Sequence, residues 1–404
     1  MKYIIVLGDG MADEPLDYYG GKTPLQIAKT PEIDRLACLG RNGMLQTILE
    51  SMHPGSEVAN MSVLGYDVEK VFEGRGTLEA ASMGVILQPG DLAMRCNLIC
   101  LQGDNIKNHS AGHISNDESH QLIDFLNEKL GSEKIIFHKG VSYRHVLVIK
   151  GGLKDLICTA PHDVPGKPYR SFMIKSLSKE AESTAKLLNE LIIASMEILP
   201  EHPVNKARKS VGKDMANSIW PWSPGYKPQM PTLKEMFGIE HSAVISAVDL
   251  IQGIGVYAGM DIIRVEGATG LHDTNYEGKA KATIDALKDH DLVYLHIEAS
   301  DEAGHDGNIE LKTKTIEYLD SRVIKYLAVE TAKMKEPVAI AVLPDHPTPC
   351  ATTVHTKTPV PFIIYKPDCK PDDVMTYDES AATKGCYGLL KGDEFMKTLL
   401  SLRR

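Results

Sequence analysis

The sequence predicts an α/β fold in two parts. Short runs rich in branched apolar residues and bounded by proline or glycine are typical of buried strands, and residues 3–7 and 338–343 are clear examples. Elsewhere apolar residues recur at helical spacing, as at Ile316, Leu319 and Val323, which would lie on one helix face. A chain of 404 residues is also too long for one ordinary domain and suggests two, at roughly 150 residues each.

The composition excludes one class of partner. The formal net charge is −10, from 44 lysines and arginines against 54 aspartates and glutamates, and no long basic run occurs. Nucleic-acid binding is therefore not expected, because neutralising phosphates requires clustered cations. Hydrophobic residues make up 43% and charged residues 24% of the chain, as in soluble globular proteins. An acidic enzyme that handles anions must build a local positive pocket from metals or a few arginines.

The cysteines and the N-terminus indicate in which cellular compartment the protein is expected. There are seven scattered cysteines, and only Cys96 and Cys100 lie close together. This odd number without C-x-x-C spacing argues against a disulfide framework and a zinc knuckle, so we expect a reducing compartment. The N-terminal apolar run is too short for a signal peptide or a membrane span. The sequence therefore predicts a cytoplasmic protein with no membrane partner.

The first strand leads directly into a turn with an acidic residue. Asp9 stands between two glycines just after residues 3–7, and ligands of α/β sheets gather at the carboxyl ends of strands. Asp9 is therefore either a functional acid or a turn residue whose side chain bonds to the nearby backbone. A helix over residues 31–39 and a strand over residues 44–48 are expected next.

Ser56 stands at the predicted start of another helix. Pro54 and Gly55 form a turn before it, and Val58 and Met61 follow on one helical face. A serine in this setting most often caps the helix N-terminus. The same position also places a hydroxyl among free backbone N–H groups that attract phosphate. Ser56 is therefore either an N-cap or part of a phosphate site.

The character of the sequence changes at residue 73. Polar and basic residues now recur in short bursts between strand-like runs, and this pattern persists until about residue 231. We expect residues 73–231 to form an inserted domain, with residues 1–72 and 232–404 forming a discontinuous domain around it.

Within the insertion, a few elements are distinct. Residues 145–149 predict a strand, and helices are expected near residues 120–130 and 180–199, each with an apolar stripe. Residues 220–225 contain two tryptophans and two prolines, and this stretch is typical of a linker that returns to the first domain.

Two further acids follow strands in the last third of the chain. Asp301 comes just after a strand, and His305 lies four residues later, so one helical turn can aim both side chains at one point. Asp345 and His346 follow the strand over residues 338–343, and His355 lies in the same loop. The other strands are predicted over residues 243–246, 261–265, 291–297 and 360–365.

Three strands thus each deliver a carboxylate at a carboxyl end, and three imidazoles accompany them. Six such groups at one edge carry too much charge to be buried without compensation, and buried charges are paired or bind metals. Two divalent cations would resolve this, and such a pair suits phosphoryl transfer. A hydroxyl held by a cation is more easily deprotonated, which makes Ser56 the candidate nucleophile. The six groups are Asp9, Asp301, His305, Asp345, His346 and His355.

Together these motifs resemble those of the archaeal-type cofactor-independent (2,3-bisphosphoglycerate-independent) phosphoglycerate mutases, in the alkaline-phosphatase superfamily. The resemblance covers essentially the whole chain. It implies an alkaline-phosphatase-like three-layer α/β domain interrupted by an inserted α/β transferase (lid) domain, with the site in the cleft between them. The motifs that carry it are Gly8-Asp9-Gly10, Pro54-Gly55-Ser56, Asp301-x-x-x-His305-x-Gly307, and Asp345-His346-Pro347-Thr348-Pro349 with His355.

The resemblance also implies roles for individual residues. Ser56 would be phosphorylated and the phosphate returned to the other hydroxyl of the retained glycerate, without added 2,3-bisphosphoglycerate. Two divalent ions (manganese, magnesium or zinc) would be needed. One would be held by Asp9, Ser56, Asp345 and His346, and the other by Asp301, His305 and His355. The candidates for binding the small phosphorylated substrate are Arg75, Arg95, Asn97, His109, His113 and Arg144.

One departure from the family leaves the substrate open. Where arginines are expected, this chain has His109 and His113 around Ser-Ala-Gly, and histidine is smaller than arginine and only partly charged near neutral pH. A homoserine kinase that makes O-phosphohomoserine for threonine biosynthesis is therefore the alternative to a mutase. A phosphatase or sulfatase-like hydrolase ranks third, and a metal-stabilised binding protein fourth. The active-site lysine of related bacterial mutases, the native metal, the oligomeric state and the domain arrangement are left open.

Overall fold

The computed structural model describes residues 1–401 and divides the chain into two compact units. Unit 1 comprises Met1–Phe72 and the described residues from Gln229 onward, and unit 2 comprises Glu73–Pro228. Within residues 1–401, the structure contains no helix both long and apolar enough to cross a membrane.

Strands and helices alternate along most of the chain. The strands are β1 (Lys2–Gly8), β2 (Arg41–Gln46), β3 (Asp91–Gln102), β4 (Asn105–Asn108), β5 (Ile135–His138), β6 (Arg144–Lys150), β7 (Leu156–Ile157), β8 (Lys175–Ser176), β9 (Ser218–Gly225), β10 (Ser242–Ile245), β11 (Asp261–Ile263), β12 (Leu292–Ile297), β13 (Val338–Leu343), β14 (Val360–Tyr365) and β15 (Leu389–Lys391). The α-helices are α1 (Pro24–Ile27), α2 (Pro31–Leu39), α3 (Ser56–Val63), α4 (Val68–Val71), α5 (Arg75–Ser82), α6 (Asn116–Leu130), α7 (Glu182–Ile198), α8 (Pro203–Ser210), α9 (Leu233–Phe237), α10 (Asp249–Tyr257), α11 (Tyr276–Ala286), α12 (Ala299–His305), α13 (Ile309–Tyr318), α14 (Lys325–Thr331), α15 (Glu379–Ala382) and α16 (Glu394–Leu400).

Unit 1 is built on an eight-stranded mixed sheet in the order β11-β10-β12-β1-β13-β14-β2-β15. The five strands from β11 to β13 are parallel to one another, and β14 runs antiparallel to both of its neighbours. Side chains of α2, α11 and the helical run from α13 to α14 pack on one face of the sheet. On the opposite face, α10 comes so near that a Cβ at Gly255 would lie 2.5 Å from Val244. Helices therefore cover both faces, and the predicted α/β class is confirmed.

Several predicted elements need adjustment. The strand expected over residues 44–48 begins earlier, as β2, because Arg41 and Asn42 already pair with β14. The helical stripe that includes Ile316 and Val323 is buried as expected, but a π-helical segment, Leu319–Ile324, separates α13 from α14.

Unit 2 contains a five-stranded antiparallel sheet with a separate core. Its strands follow the order β4-β3-β6-β5, and β9 also pairs with β3. Helices α6 and α7 pack their apolar residues against this sheet. The helix predicted near residues 120–130 starts earlier, at Asn116, because the Ser115 side chain and Glu118 form a capping box.

The stretch over residues 220–225 is not a linker, so this prediction is wrong. It lies in β9, which pairs antiparallel with residues 93–99 of β3. Because β9 has a strand neighbour on one side only, Pro221 and Pro224 are tolerated although they donate no backbone hydrogen bond.

The N-terminus of α2 is capped from a distant part of the chain. Its own N-cap residue, Thr30, makes no side-chain cap bond. Instead, Asp320 Oδ1 accepts hydrogen bonds from the backbone N–H groups of Glu32 (2.9 Å) and Ile33 (2.7 Å). Burial raises the pKa of Asp320 to about 6 in spite of these bonds. Its carboxylate thus satisfies free helix N–H groups while being largely withdrawn from water.

A buried lysine, Lys312, links the loop that follows β1 to the loop that follows β13. Lys312 of α13 is completely buried. Its ammonium donates to Asp13 Oδ2 (2.8 Å), to the carbonyl of Ala12 (2.9 Å) and to the carbonyl of Thr348 (2.8 Å). All three ammonium hydrogens have acceptors, so the charge is both paired and hydrogen-bonded. The loops after β1 and β13 are therefore held in fixed positions.

Replacing Asp320 by asparagine should flatten the pH dependence of stability. Because the folded protein raises the pKa of Asp320, its favourable contribution is complete below the unfolded value near 4 and is lost as the pH rises to about 6. Asparagine keeps the Oδ1 acceptor but does not titrate. Urea unfolding from pH 3.5 to 7 should show Asp320→Asn gaining stability relative to wild type across this window. A constant difference at every pH would contradict the prediction.

Lys312→Met should lower the free energy of unfolding by about 3–5 kcal/mol, because Asp13 is left as an uncompensated buried carboxylate. Urea titration followed by circular dichroism measures the loss. Lys333, which is exposed and paired with Glu330, is the control, and Lys333→Met should leave stability nearly unchanged. Equal effects of the two substitutions would show that the buried ammonium does not hold the loops.

Candidate active site

Three parallel strands deliver carboxylates to one edge of the sheet in unit 1. Strand β1 pairs with both β12 and β13, so their carboxyl ends lie together. Asp9 follows β1, Asp301 lies in α12 just after β12, and Asp345 follows β13. Gly10 has a φ of +58°, and a Cβ there would lie 2.4 Å from Asp301 Oδ1. Only glycine permits this close approach of the loops after β1 and β12.

Asp9 is fully buried and only partly satisfied. Its Oδ2 lies 2.9 Å from Nε2 of His296, and its Oδ1 lies 3.5 Å from Nε2 of His346 and has no hydrogen-bond partner among the described residues. Burial, and then the neighbouring Asp345 and Asp301, raise the pKa of Asp9 well above its usual value. A cation at Oδ1 would supply the missing partner and offset the repulsion.

Asp345 is held in a fixed orientation. Its Oδ1 accepts hydrogen bonds from the backbone N–H groups of Gly10 (3.1 Å) and His346 (2.9 Å). Its Oδ2 accepts from Asn60 Nδ2 (2.8 Å) and lies 3.4 Å from Nε2 of His346. The carboxylate is thus oriented before any ligand arrives, as is usual for metal-ligating groups.

Ser56 is the first residue of α3, and of its two alternative roles the N-cap one does not apply. Gly55 occupies the N-cap position, and Ser56 Oγ instead lies 3.1 Å from Nε2 of His346. Gly55 is in an extended conformation that turns the chain into the helix. The hydroxyl is therefore directed to the cluster of imidazoles and acids.

A second set of ligand-type groups surrounds Asp301. Its Oδ2 lies 3.2 Å from Nε2 of His305, and its Oδ1 lies 3.3 Å from Nε2 of His355 and accepts a hydrogen bond from Thr348 Oγ1 (2.5 Å). Burial acts to raise the pKa of Asp301, but the contacts with His305 and His355 outweigh it and hold the pKa well below its usual value. The hydrogen bond to Asp301 in turn raises the pKa of His305 to about 9.

The two histidines of this set face each other. Nε2 of His305 and Nε2 of His355 are 2.8 Å apart, so at most one of them carries a proton on that nitrogen. Nδ1 of His305 lies 2.9 Å from the carbonyl oxygen of Thr353. With Nδ1 donating to that carbonyl, His305 would present a lone pair on Nε2 once a cation displaces the proton there, and this is the form that metal-ligating histidines take.

His346 connects the two sets. Its ring stacks on His355 with 3.9 Å between centroids. All seven metal-site candidates named from the sequence are therefore joined by direct contacts. In the described part of the chain, three groups of ligand-type residues have atoms within 4.8 Å of one another: Asp301, His346 and His355; Asp9, Asp345 and His346; and Asp9, His296 and Glu298.

This donor set fits hard or borderline divalent cations. It combines carboxylate oxygens with imidazole nitrogens, as manganese, magnesium and zinc sites do in different proportions, and it leaves a buried carboxylate oxygen without a partner. How the seven residues divide between two cations stays a prediction.

Two residues of the third group were missed in the sequence. His296 is buried inside β12, with Nδ1 3.2 Å from Ser246 Oγ and 3.8 Å from Glu298 Oε2. Burial lowers the pKa of His296 to about 3, so the ring is neutral. Burial, and then Asp301, raise the pKa of Glu298 well above its usual value. The available signal was an imidazole inside an otherwise apolar strand.

A buried lysine also lies next to this group. Lys279 of α11 is 1% exposed, and its Nζ is 3.4 Å from the carbonyl oxygen of His296 and 3.5 Å from that of Thr269. Burial lowers the pKa of Lys279 to about 8, although the nearby Glu298 acts to raise it. The sequence alone did not single out this lysine.

The candidate substrate-binding residues lie in unit 2, and several are in contact. Trp222 Nε1 donates to Asn97 Oδ1 (3.1 Å), and Asn97 Nδ2 donates to the carbonyl of His109 (3.2 Å). The Arg95 guanidinium lies over the Trp222 ring at 4.5 Å and 3.2 Å from Glu79 Oε1. Arg95 is therefore buried and already paired with an acid.

Aromatic rings connect the remaining candidates. Tyr143 packs edge-on against His109 (5.4 Å) and His113 (6.3 Å), and the Arg144 guanidinium lies 5.9 Å from its ring centre. His162, which was not among the candidates, lies 5.9 Å from His109. Burial lowers the pKa of both His109 and His162.

Arg75 belongs to the same neighbourhood of unit 2. Its backbone N–H donates to Ser223 Oγ (3.0 Å) at the start of α5. Its positive charge acts to lower the pKa of Arg95 and of His162, after the larger effect of burial. Basic groups are thus gathered on one part of this unit.

A sheet edge that presents buried acids, imidazoles and a hydroxyl is the candidate active site of an α/β enzyme. A family model described as 2,3-bisphosphoglycerate-independent phosphoglycerate mutase matches residues 37–205. The mutase of that name from Methanosarcina mazei is 48% identical over 403 residues, covering 99% of this chain and 100% of the relative. The one from Methanothrix thermoacetophila is 42% identical over 401 residues, covering 99% and 100%.

Solved structures agree with these relatives. A protein from Pyrococcus horikoshii superposes with a TM-score of 0.84 at 30% identity, covering 100% of this chain and 98% of that one. The cofactor-independent phosphoglycerate mutase from Thermoplasma acidophilum gives 0.69 at 27% identity, with full coverage of both chains. The chain belongs to the family of 2,3-bisphosphoglycerate-independent phosphoglycerate mutases, which are isomerases.

Proposed function

We propose that this chain interconverts 3-phosphoglycerate and 2-phosphoglycerate by metal-dependent phosphoryl transfer through a phosphoserine at Ser56. The observation that carries the proposal is the position of Ser56 Oγ, 3.1 Å from Nε2 of His346 within the cluster of buried acids. Relatives that cover the whole chain carry the mutase name, which supports the choice of substrate. No added 2,3-bisphosphoglycerate is needed if Ser56 itself carries the phosphate between the two hydroxyls.

Two divalent cations are part of this proposal. Bound cations would lower the pKa of the serine hydroxyl and offset the negative charge of the phosphoryl group. One would be held by Asp9, Ser56, Asp345 and His346, and the other by Asp301, His305 and His355.

The protein's own part is nucleophilic transfer in two steps. Ser56 Oγ forms a bond to phosphorus while the bond from phosphorus to the 3-oxygen of glycerate breaks. The 2-hydroxyl then attacks phosphorus and the bond to Ser56 Oγ breaks. Over the cycle the proton lost by the 2-hydroxyl ends on the 3-oxygen, and the serine is restored. The glycerate must stay bound between the steps, because water would otherwise hydrolyse the phosphoserine.

Unit 2 supplies the candidates for retaining the glycerate. Its guanidinium groups can bind carboxylate or phosphate through two parallel hydrogen bonds. Arg144 is exposed, whereas Arg95 is buried and paired with Glu79, so Arg144 is the better candidate of these two. His109 and His113 can contribute further hydrogen bonds. The full set proposed for this role is Arg75, Arg95, Asn97, His109, His113 and Arg144.

The purified protein loaded with Mn²⁺ should convert 3-phosphoglycerate to 2-phosphoglycerate without added bisphosphoglycerate. Coupling to enolase detects the product. A parallel reaction with homoserine and a phosphate donor, analysed for O-phosphohomoserine, tests the kinase alternative. Formation of phosphohomoserine and no 2-phosphoglycerate would overturn the mutase assignment.

Ser56→Ala should lower kcat by more than about 1,000-fold, because the group that accepts the phosphate is absent. Ser62, a buried serine on the same helix, is the matched control, and Ser62→Ala should stay close to wild type. Acid-quenched reactions analysed by mass spectrometry should show phosphate on Ser56 in the wild type. Mutase activity that survives Ser56→Ala would rule out the covalent mechanism.

A further inference from the structure

Asn60 lies in α3, one helical turn after Ser56, and its side chain is completely buried. Its Nδ2 donates to the carbonyl of Ser56 (2.8 Å) and to Asp345 Oδ2 (2.8 Å). Its Oδ1 accepts from the hydroxyl of Tyr294 (2.6 Å). Both amide hydrogens and one lone pair of the amide oxygen are therefore used.

Only one orientation of this amide satisfies its neighbours. A backbone carbonyl and a carboxylate accept hydrogen bonds and donate none, so both need the NH₂ group. The Tyr294 hydroxyl must then donate to Oδ1. A flipped amide would place Oδ1 against Asp345 Oδ2, with two acceptors facing each other. Tyr294 is 1% exposed within β12, so its hydroxyl is fixed by the sheet.

The amide connects two elements that meet at the same imidazole. Ser56 Oγ lies 3.1 Å from Nε2 of His346, and Asp345 Oδ2 lies 3.4 Å from that same nitrogen. Asn60 bonds directly to the carboxylate and to the backbone of the residue that bears the hydroxyl. One side chain therefore links the carboxylate to the backbone of the residue that bears the hydroxyl.

We propose that Asn60, oriented by Tyr294, is a positioning residue that places the Ser56 hydroxyl and the Asp345 carboxylate for joint binding of one cation. This inference rests on the proposed function, in which both groups hold the same cation. Asn60 already bonds to three protein groups, so it would act without touching the substrate or the cation. It acts through the orientation of the two groups that do, and partners of this kind affect metal affinity or activity by about 10- to 100-fold.

The test compares Asn60→Ala with Asn42→Ala. Asn42 is a matched control in the same unit, because it is also completely buried and its Nδ2 also donates to a carbonyl (Ala37) and to an aspartate (Asp372). The two variants should lose similar amounts of stability in urea unfolding of the metal-free protein. Titration calorimetry with Mn²⁺ should show an affinity loss of about 10- to 100-fold for one cation in Asn60→Ala and none in Asn42→Ala.

A kinetic measurement separates positioning from a structural role. At saturating Mn²⁺, Asn60→Ala should lower kcat while KM for 3-phosphoglycerate stays within about threefold, because the glycerate contacts are unchanged. Wild-type Mn²⁺ affinity and kcat in Asn60→Ala, or equal losses of Mn²⁺ affinity in both variants, would overturn the proposal.

If Asn60→Ala does not fold, Tyr294→Phe tests the positioning role of Asn60 instead. This substitution keeps the aromatic ring and removes only the hydroxyl that fixes the Asn60 amide. We expect a smaller loss of Mn²⁺ affinity than in Asn60→Ala, and unchanged affinity would overturn the proposal.

The calorimetric measurement of Mn²⁺ binding needs no substrate. A wild-type protein that binds Mn²⁺ but lacks mutase activity would therefore overturn the proposed reaction alone, whereas a wild type that binds no Mn²⁺ would overturn both.

Discussion

Repulsion among buried carboxylates is the constraint on which the rest of this site depends. Four carboxylates are close enough to repel one another, and water is largely excluded from them: Asp9, Asp301, Asp345 and Glu298. Like charges in such surroundings are costly unless they are protonated, paired or bound to cations. The protein supplies part of the compensation through imidazoles, backbone N–H groups and Lys279. The oxygen of Asp9 that has no partner marks where this compensation is incomplete.

A cluster under such repulsion needs a rigid frame. The parallel pairing of β1 with β12 and β13 fixes three chain ends at one edge, but the loops beyond them must also be held. Lys312 joins the loops after β1 and β13 by hydrogen bonds, and Gly10 allows the loops after β1 and β12 to approach closely. Gly304 makes a similar approach, since a Cβ there would lie 2.5 Å from the carbonyl oxygen of Thr348. These contacts therefore hold together acidic side chains that would otherwise repel one another and move apart.

The sequence predicts those parts of the site that follow directly from strand patterns. Asp9 and Asp345 could be identified because each ends a short apolar run, and parallel strands bring such ends together. His296 could not, because an imidazole within an apolar strand reads as a core residue. Lys279 and Asn60 lie inside helices, where only tertiary contacts distinguish them from ordinary helix residues.

Errors in the fold prediction have a similar origin. Two prolines in residues 220–225 suggested a linker, because proline is rare in strands with neighbours on both sides. The pairing of β9 with β3 depends on residues more than 100 positions earlier in the chain, and local patterns carry no information about it. Likewise, the cap of α2 is supplied by Asp320, far along the chain from Thr30.

The prolines of β9 have a consequence for association with other chains. A strand at the border of a sheet normally presents unpaired N–H groups, to which a strand from another molecule can add. Pro221 and Pro224 present no such donors, and the start of α5 lies beside the same strand, where Arg75 donates to Ser223. The β9 border of the unit 2 sheet is therefore poorly suited to strand addition, which limits one route by which such sheets associate.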